Sequence, residues 1–228
     1  METIDLRKDS VRTLNSTLHG LTAESNKTAW SVTNPDGAHN IAVGLDNELE
    51  VTVKGHSGYY AAGMNQKASV RFEGNVGVGV AENMMSGEVW VTGDASQSAG
   101  ATAHGGLLVI EGNAAARCGI SMKGVDIVVK GSVGHMAAFM GQAGNLVVCG
   151  DAGEAFGDSL YEARLFVRGS VTDLGADCIE KEMGAEHKEI LADLLKRAGS
   201  CHDVSEFRRY GSARKLYNFK VDNASASA

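Results

Sequence analysis

The sequence predicts an all-β fold, a right-handed single-stranded parallel β-helix of about seven 19-residue coils with a C-terminal capping helix. Three observations carry that reading. Gly55, Gly74, Gly93, Gly112, Gly131, Gly150 and Gly169 each stand 19 residues from the next. Four residues and two residues before every one of these glycines the side chain is apolar. Seven residues after it the side chain is never larger than a methyl group.

The apolar pairs define the strands. The first member of the pair is Val51, Val70, Val89, Leu108, Ile127, Leu146 or Leu165, and the second is Val53, Phe72, Val91, Ile110, Val129, Val148 or Val167. The residue between the second member and the glycine is polar in six repeats, with Cys149 the exception. Alternation with a period of two, rich in β-branched residues, is the pattern of a strand with one buried face. After the glycine comes Asn75, Asp94, Asn113, Ser132, Asp151 or Ser170, a small polar residue that turns the chain, while the first coil departs with His56. The small residues Ala62, Ala81, Gly100, Gly119, Ala138, Gly157 and Ala176 follow. Coils stacked about 4.8 Å apart bring equivalent positions together, so these are expected to be crowded against their own copies. A propeller would need blades of about 40 residues, twice the observed period.

Four segments result: an N-terminal arm or cap over 1–36, the β-helix over 37–176, a capping helix over 177–199 and a basic, aromatic docking tail over 200–228. At the start of the second region, between Gly37 and Asp46, Ile41 to Leu45 reads as an irregular first rung. The helix is read from Asp177 and Glu180 as a capping pair, with Ile179, Met183, Ile190, Leu191, Leu194, Leu195 and Ala198 at helical spacing up to Gly199. The tail holds Arg208, Arg209, Arg214, Lys215 and Lys220 among Phe207, Tyr210, Leu216, Tyr217 and Phe219, with no acid from Phe207 to Lys220. On a chain with a formal net charge of -7 that stretch is expected to dock on an acidic surface, its own or a partner's, and nucleic acid is excluded as the main partner.

The strand position three before each glycine should face outward, yet Trp90, Val109, Val128, Val147 and Phe166 are apolar there, after Thr52 and Arg71. Those five side chains form a line about 19 Å long at about 4.8 Å per coil, too continuous to stay wet. The preferred occupant is another subunit or a second copy of the chain; the alternative is the chain's own helix after Asp177.

The glycine series, with GNVGVGV at Gly74 to Val80, GHSGYYAAGM at Gly55 to Met64 and GNAAARCG at Gly112 to Gly119, resembles the GXGXG domain family found at the C-terminal end of the glutamate synthase large subunit. The resemblance covers roughly residues 37 to 176. As a stand-alone chain with a tail like FRRYGSARKLYNF, it is most similar to the B subunit of N-methylglutamate synthase, a methylamine-glutamate N-methyltransferase. Formylmethanofuran dehydrogenase, in one of its subunits, and separately encoded glutamate synthase domains share the repeat. The resemblance implies a non-catalytic scaffold that works with an amidotransferase-like subunit and an FMN-dependent synthase subunit, the latter also a candidate for an iron-sulfur cluster. The assembled enzyme would convert methylamine and glutamate to N-methylglutamate and ammonia. No cofactor is implied in this chain.

The residues themselves offer few chemical sites. Gly77-Val78-Gly79 is read as a corner, because a nucleotide loop needs a strand before it and a helix after it. His56, His104 and His135 fall one, eleven and four residues after their glycines, so the repeat does not stack them as metal ligands. Cys118, Cys149, Cys178 and Cys201 are widely spread and read as reduced, incidental thiols. No catalytic, cofactor-binding or metal residue is assigned, although a self-contained β-helical lyase or hydrolase remains the competing class. Met1 to Gly20 lacks the apolar run of a secretory leader and no membrane-length stretch follows, so a cytoplasmic location and no membrane partner are expected.

Overall fold

The computed structural model describes residues 1–22, 25 and 28–215. Seven parallel strands, β3 (Glu50–Lys54), β4 (Ser69–Phe72), β5 (Glu88–Val91), β6 (Leu107–Ile110), β7 (Lys123–Val129), β8 (Ala143–Val148) and β9 (Arg164–Val167), stack one per coil, as the repeat predicts. Their register is the 19-residue period itself: Val51 pairs Val70, then Val89, Leu108, Ile127, Leu146 and Leu165. All seven are buried, and so are their partners from Val53 to Val167. A second ladder of single bridges runs two residues past the glycines, from Ser57 through Val76, Ala95, Ala114, Val133 and Ala152 to Val171.

At the predicted edge the glycines stack backbone on backbone. The Gly131 N–H donates to the Gly112 carbonyl at 2.9 Å and Gly150 to Gly131 at 2.8 Å, in a run that extends from Gly74 to Gly169. A Cβ on Gly131 would sit 2.6 Å from the Gly112 carbonyl oxygen, and one on Gly169 2.5 Å from that of Gly150. The polar residue after each glycine continues the ladder with its side chain. Asn75 Oδ1 accepts from the Asp94 N–H at 2.9 Å, Asp94 Oδ1 from Asn113 at 2.7 Å, Asn113 Oδ1 from Ser132 at 2.9 Å, Ser132 Oγ from Asp151 at 2.9 Å and Asp151 Oδ1 from Ser170 at 2.7 Å. His56 belongs to the same series, since its Nδ1 accepts from the Asn75 N–H at 2.9 Å.

The small residues are small for a reason the repeat alone did not give. Five, seven and nine residues after the glycine the backbone enters the left-handed region in coil after coil: Ser98, Gly100 and Thr102 (φ 61, 66 and 54), then Arg117, Gly119 and Ser121 (φ 61, 71 and 52), then Met136, Ala138 and Met140 (φ 56, 59 and 54). Left-handed backbone costs roughly 1–2 kcal/mol per non-glycine residue. Against that cost, successive N–H groups reach alternately up and down the stack: Arg117 donates to His135 of the following coil, Gly119 to Ala99 of the preceding one and Ser121 to Phe139 of the following one, at 2.8 to 2.9 Å. Leaving such a buried donor unpaired would cost about 1–3 kcal/mol, a comparable sum, so the strained backbone is held by the stack. The outer two residues of each triplet carry any side chain, whereas the middle one points into the core. A Cβ on Gly100 would lie 2.6 Å from Ile127 Cδ1, and one on Gly157 2.8 Å from Leu165 Cδ1. The crowding is therefore against core aliphatics in left-handed backbone, rather than against the same residue in neighbouring coils.

The N-terminal segment is more than an arm. β1 (Glu2–Asp5) and β2 (Ala29–Thr33) extend the parallel sheet, and α1 (Val11–His19) closes its end with Leu14 and Leu18 fully buried. Ser10 caps α1, its Oγ accepting from the Thr13 N–H at 3.0 Å. The expected irregular rung is present, with Ile41, Ala42 and Leu45 buried. Thr33 pairs with Lys54, an offset of 21, while the left-handed Asn40, Ala42 and Gly44 correspond to Tyr60, Ala62 and Met64, an offset of 20, so one extra residue is absorbed at the corner holding Pro35.

At the other end the expected helix boundary is wrong. Residues 177–184 do not begin the helix: Cys178–Lys181 is a strand, β10, and α2 runs Ala185–Arg197 with Gly184 at its N-cap and no side-chain cap. Asp177 sits instead in left-handed backbone at φ 61, its carboxylate accepting from Ser212 Oγ at 2.8 Å and from the Lys215 N–H at 3.0 Å. The tail returns as β11 (Arg208–Ser212), antiparallel to both β9 and β10, so the sheet order ends β9-β11-β10.

Two tests of this packing follow from the distances. Gly131→Ala and Gly119→Leu should each lower the free energy of unfolding by about 1–3 kcal/mol or more, while Arg117→Gly, in the same backbone region but exposed, should cost nothing measurable. Equal urea midpoints for all three would contradict the stack. The second test concerns acid. The Ser170 N–H and hydroxyl hold the Asp151 carboxyl below its ordinary value. Its contribution is thus present above the unfolded carboxylate pKa and is lost as pH falls through the lower folded value. Asp151→Asn should reduce the loss of stability between about pH 5 and about pH 2, read as the shift in urea midpoint.

Candidate functional site and docking surfaces

Val109, Val128, Val147 and Phe166 do face outward from the strands, and each is fully buried. The cover is the chain's own helix. Leu191, Leu194 and Leu195 of α2 and its C-cap Ala198, with Phe207, form with them and with Leu107 and Cys149 a second hydrophobic core outside the coils. Trp90 packs at its rim, with the Arg71 guanidinium 6.0 Å from its ring centre and Arg71 itself 3.5 Å from Glu111. A 13-residue helix is about 20 Å long, which matches the predicted line of about 19 Å. The expectation that another subunit or a second copy covers this line is corrected: helix and stripe satisfy each other.

Of the two surfaces expected for the tail, its own or a partner's, the described part takes its own. Tyr210 is 2% exposed and enters the inner core, edge-on to Phe156 with ring centres 6.0 Å apart, so it plugs the last coil. Arg208 Nη2 donates to the Gly169 carbonyl at 2.7 Å, Arg209 Nε to the Glu182 carbonyl at 2.8 Å, and Arg214 pairs with Glu162 at 2.8 Å. The Asp203 and Glu206 capping box rigidifies the 3-10 turn Val204–Glu206 that leads into β11, and Glu206 reaches Arg168 at 3.2 Å. Residues 200–215 thus dock on the chain's own last coils. Tyr217 and the rest of the segment lie outside the described residues.

The remaining candidate groups stand apart from one another. His56, His104 and His135 are exposed at separate places on the coil, and among the described residues no group of three or more His, Cys, Asp or Glu could hold a metal ion. Burial pushes the Cys118 thiol up to about 12. Burial, with Asp177 and Asp158 nearby, does the same for Cys178. Burial also raises Cys149 despite the hydrogen bond from Ser200. Protonated thiols of this kind are poor nucleophiles. Cys201 is exposed. No helix among the described residues is long and apolar enough to cross a membrane. Apolar side chains that do remain in contact with solvent include Tyr59, stacked on His39 with ring centres 4.6 Å apart, and Met64 and Met85 on adjacent coils.

What sequence reasoning missed is a cleft beside the C-terminal seal, where β9, β10, β11 and the first turn of α2 meet. Its side chains come from four separate elements, and two of those elements, β10 and β11, were not anticipated.

Protein GlxC of Rhizobium meliloti (strain 1021) is 61% identical over 228 residues, an alignment that covers 99% of this chain and 100% of that protein. No protein-family model matches the chain.

The outer core makes a clear prediction. Val128→Glu places an unpaired charge under α2 and should destabilise the isolated chain by about 3–5 kcal/mol, measured by urea unfolding of the chain alone. Full stability with loss only of association would restore the docking reading.

Proposed function

This chain belongs to the GlxC family, and on that premise we propose that it is a non-catalytic scaffold subunit of a glutamate-synthase-like multisubunit enzyme. The observation that carries the proposal is the unbroken glycine ladder from Gly74 to Gly169, because it makes the coil series a rigid body built of a repeat like that of the GXGXG domain. In this reading the chain's polar groups are engaged in its own stacking: the corner carboxylates, amides and hydroxyls serve the neighbouring coil instead of facing a substrate. A self-contained lyase or hydrolase would need acids or bases converging in a groove along the coils.

The finer reading is N-methylglutamate synthase. The partners would be an amidotransferase-like subunit and a synthase subunit carrying FMN, with an iron-sulfur cluster also expected there, and the assembly would form N-methylglutamate and ammonia from methylamine and glutamate. With the stripe under α2 and the described part of the tail folded back, partner contact falls to side chains that stay open, among them Tyr59, Met64 and Met85.

Co-expression with the products of adjacent genes tests both levels. The scaffold reading expects one complex, with flavin bound to a partner and no turnover by the chain alone. Methylamine-dependent ammonia release from glutamate by that complex supports the finer reading; a flavin complex acting on another nitrogen donor leaves only the coarser one. Turnover by the isolated chain overturns both.

A further inference from the structure

The cleft at the C-terminal seal has a volume of about 260 Å³ and is lined by Arg164, Lys181, Arg209 and Arg214, with His187 and a single carboxylate, Glu162. Strand pairing forces two of the cations together: Lys181 of β10 lies directly opposite Arg209 of β11. Like charges so placed destabilise a sheet unless something lies between them. The nearby acids do not neutralise the cluster. Glu162 is engaged by Arg214 at 2.8 Å, and Glu186 approaches Arg164 only to 3.6 Å with its side chain 71% exposed. Glu182 offers Arg209 Nε a carbonyl at 2.8 Å, and Arg209 lines the cleft. Among the described residues neither Lys181 nor Arg209 has an ion pair within 4.0 Å.

Two further observations bear on the cleft. His187 Nδ1 is buried without a hydrogen-bond partner. Burial, then Arg209 and Arg164 against the opposing Glu186, hold its imidazole below the usual histidine range, and burial with Arg164, against Glu182, lowers Arg209 as well. A cationic cluster of this kind, assembled from four chain segments and partly desolvated, is the complement of an anion.

We propose that this cleft is a carboxylate-binding site that takes a small free dicarboxylate between Arg209, Lys181 and Arg164. Planar guanidinium forks suit a planar carboxylate, and a lysine supplies a point charge for the second one. The volume is below the range of about 300–1,000 Å³ usual for drug-sized ligands, which limits the occupant to a molecule of amino-acid size. A phosphate would favour a helix N-terminus free of acids, whereas α2 carries Glu186 in its first turn. The proposal rests on charge and geometry alone and stands independently of the enzyme in which the chain works.

Succinate, inorganic phosphate, chloride and a hexaglutamate peptide, titrated calorimetrically into the full chain at matched ionic strength, separate the alternatives. Saturable succinate binding is expected, weakened about tenfold or more in Arg209→Gln and in Lys181→Gln, each of which removes charge-assisted hydrogen bonds. Lys181, on the outermost strand, keeps the test open if the Arg209 variant fails to fold. Saturating succinate should also raise the pH at which the His187 ring signal titrates by NMR, because a bound anion favours the imidazolium form. Absence of saturable succinate binding, equal affinity in both variants, or binding of phosphate alone would overturn the proposal. So would binding of hexaglutamate alone, which would make the cleft a receptor for a partner's acidic segment.

Discussion

The closeness with which one coil lies on the next governs everything else in this molecule. Backbone N–H groups of the corner glycines reach carbonyls one coil away at 2.8 to 3.2 Å, and at that spacing no Cβ fits between them. Glycine is required at this edge by clearance rather than by dihedral freedom, since Gly74, Gly93, Gly112, Gly131, Gly150 and Gly169 lie outside the left-handed region. Once the edge is fixed, every other position is repeated at the same height, and small residues, core aliphatics and polar corner side chains each become a column. The side-chain ladder from His56 to Ser170 is the same constraint expressed at the next residue: a donor with no partner in its own coil finds an acceptor in the coil before.

The opposite side of each coil solves a different problem. A chain that turns sharply while keeping its N–H groups parallel to the stack must alternate their direction, and the left-handed triplets do so. Non-glycine residues occupy most of these positions, among them Arg117, Met136 and Met140. Their strain is tolerated only because the neighbouring coils hold both ends of every hydrogen bond, which makes the coils cooperative: none has a sound backbone by itself. That dependence explains why both ends are sealed by other structure, α1 at one end and β11 with Tyr210 at the other.

How much of this could be read from the sequence depends on whether the information was periodic. Strand positions, register, the glycine edge and the polar corner were legible, because seven copies of the same constraint leave a visible average. The left-handed triplets were not, since the outer two residues of each bear no common side chain; only the middle one, confined by Ile127, Leu108 and their equivalents, left a trace. The stripe from Trp90 to Phe166 was correctly placed on the outside but given the wrong preferred partner. Periodicity says where a side chain points and not what covers it. The lengths held the answer, since a 13-residue amphipathic helix and a line of five apolar residues span nearly the same distance.

The C-terminal seal, outside the repeat, was misread for a related reason. Cys178-Ile179-Glu180-Lys181 carries acid and base at spacings that suit a helix start, and nothing local shows that its partner is Arg209 to Ser212, about thirty residues later. Antiparallel pairing of that kind is a non-local contact that a chain makes only once, so it leaves no repeated signal. It is also the place where the chain departs from the logic of its coils. Within the stack, the polar corner residues are matched in a column; at the seal, strand pairing sets Lys181 against Arg209 and brings Arg164 and His187 beside them, with Glu162 held by Arg214 and the exposed Glu186 near Arg164. The corner residues of the coils satisfy one another from Asn75 to Ser170, and the seal, built of strands that pair only once, has no such ladder.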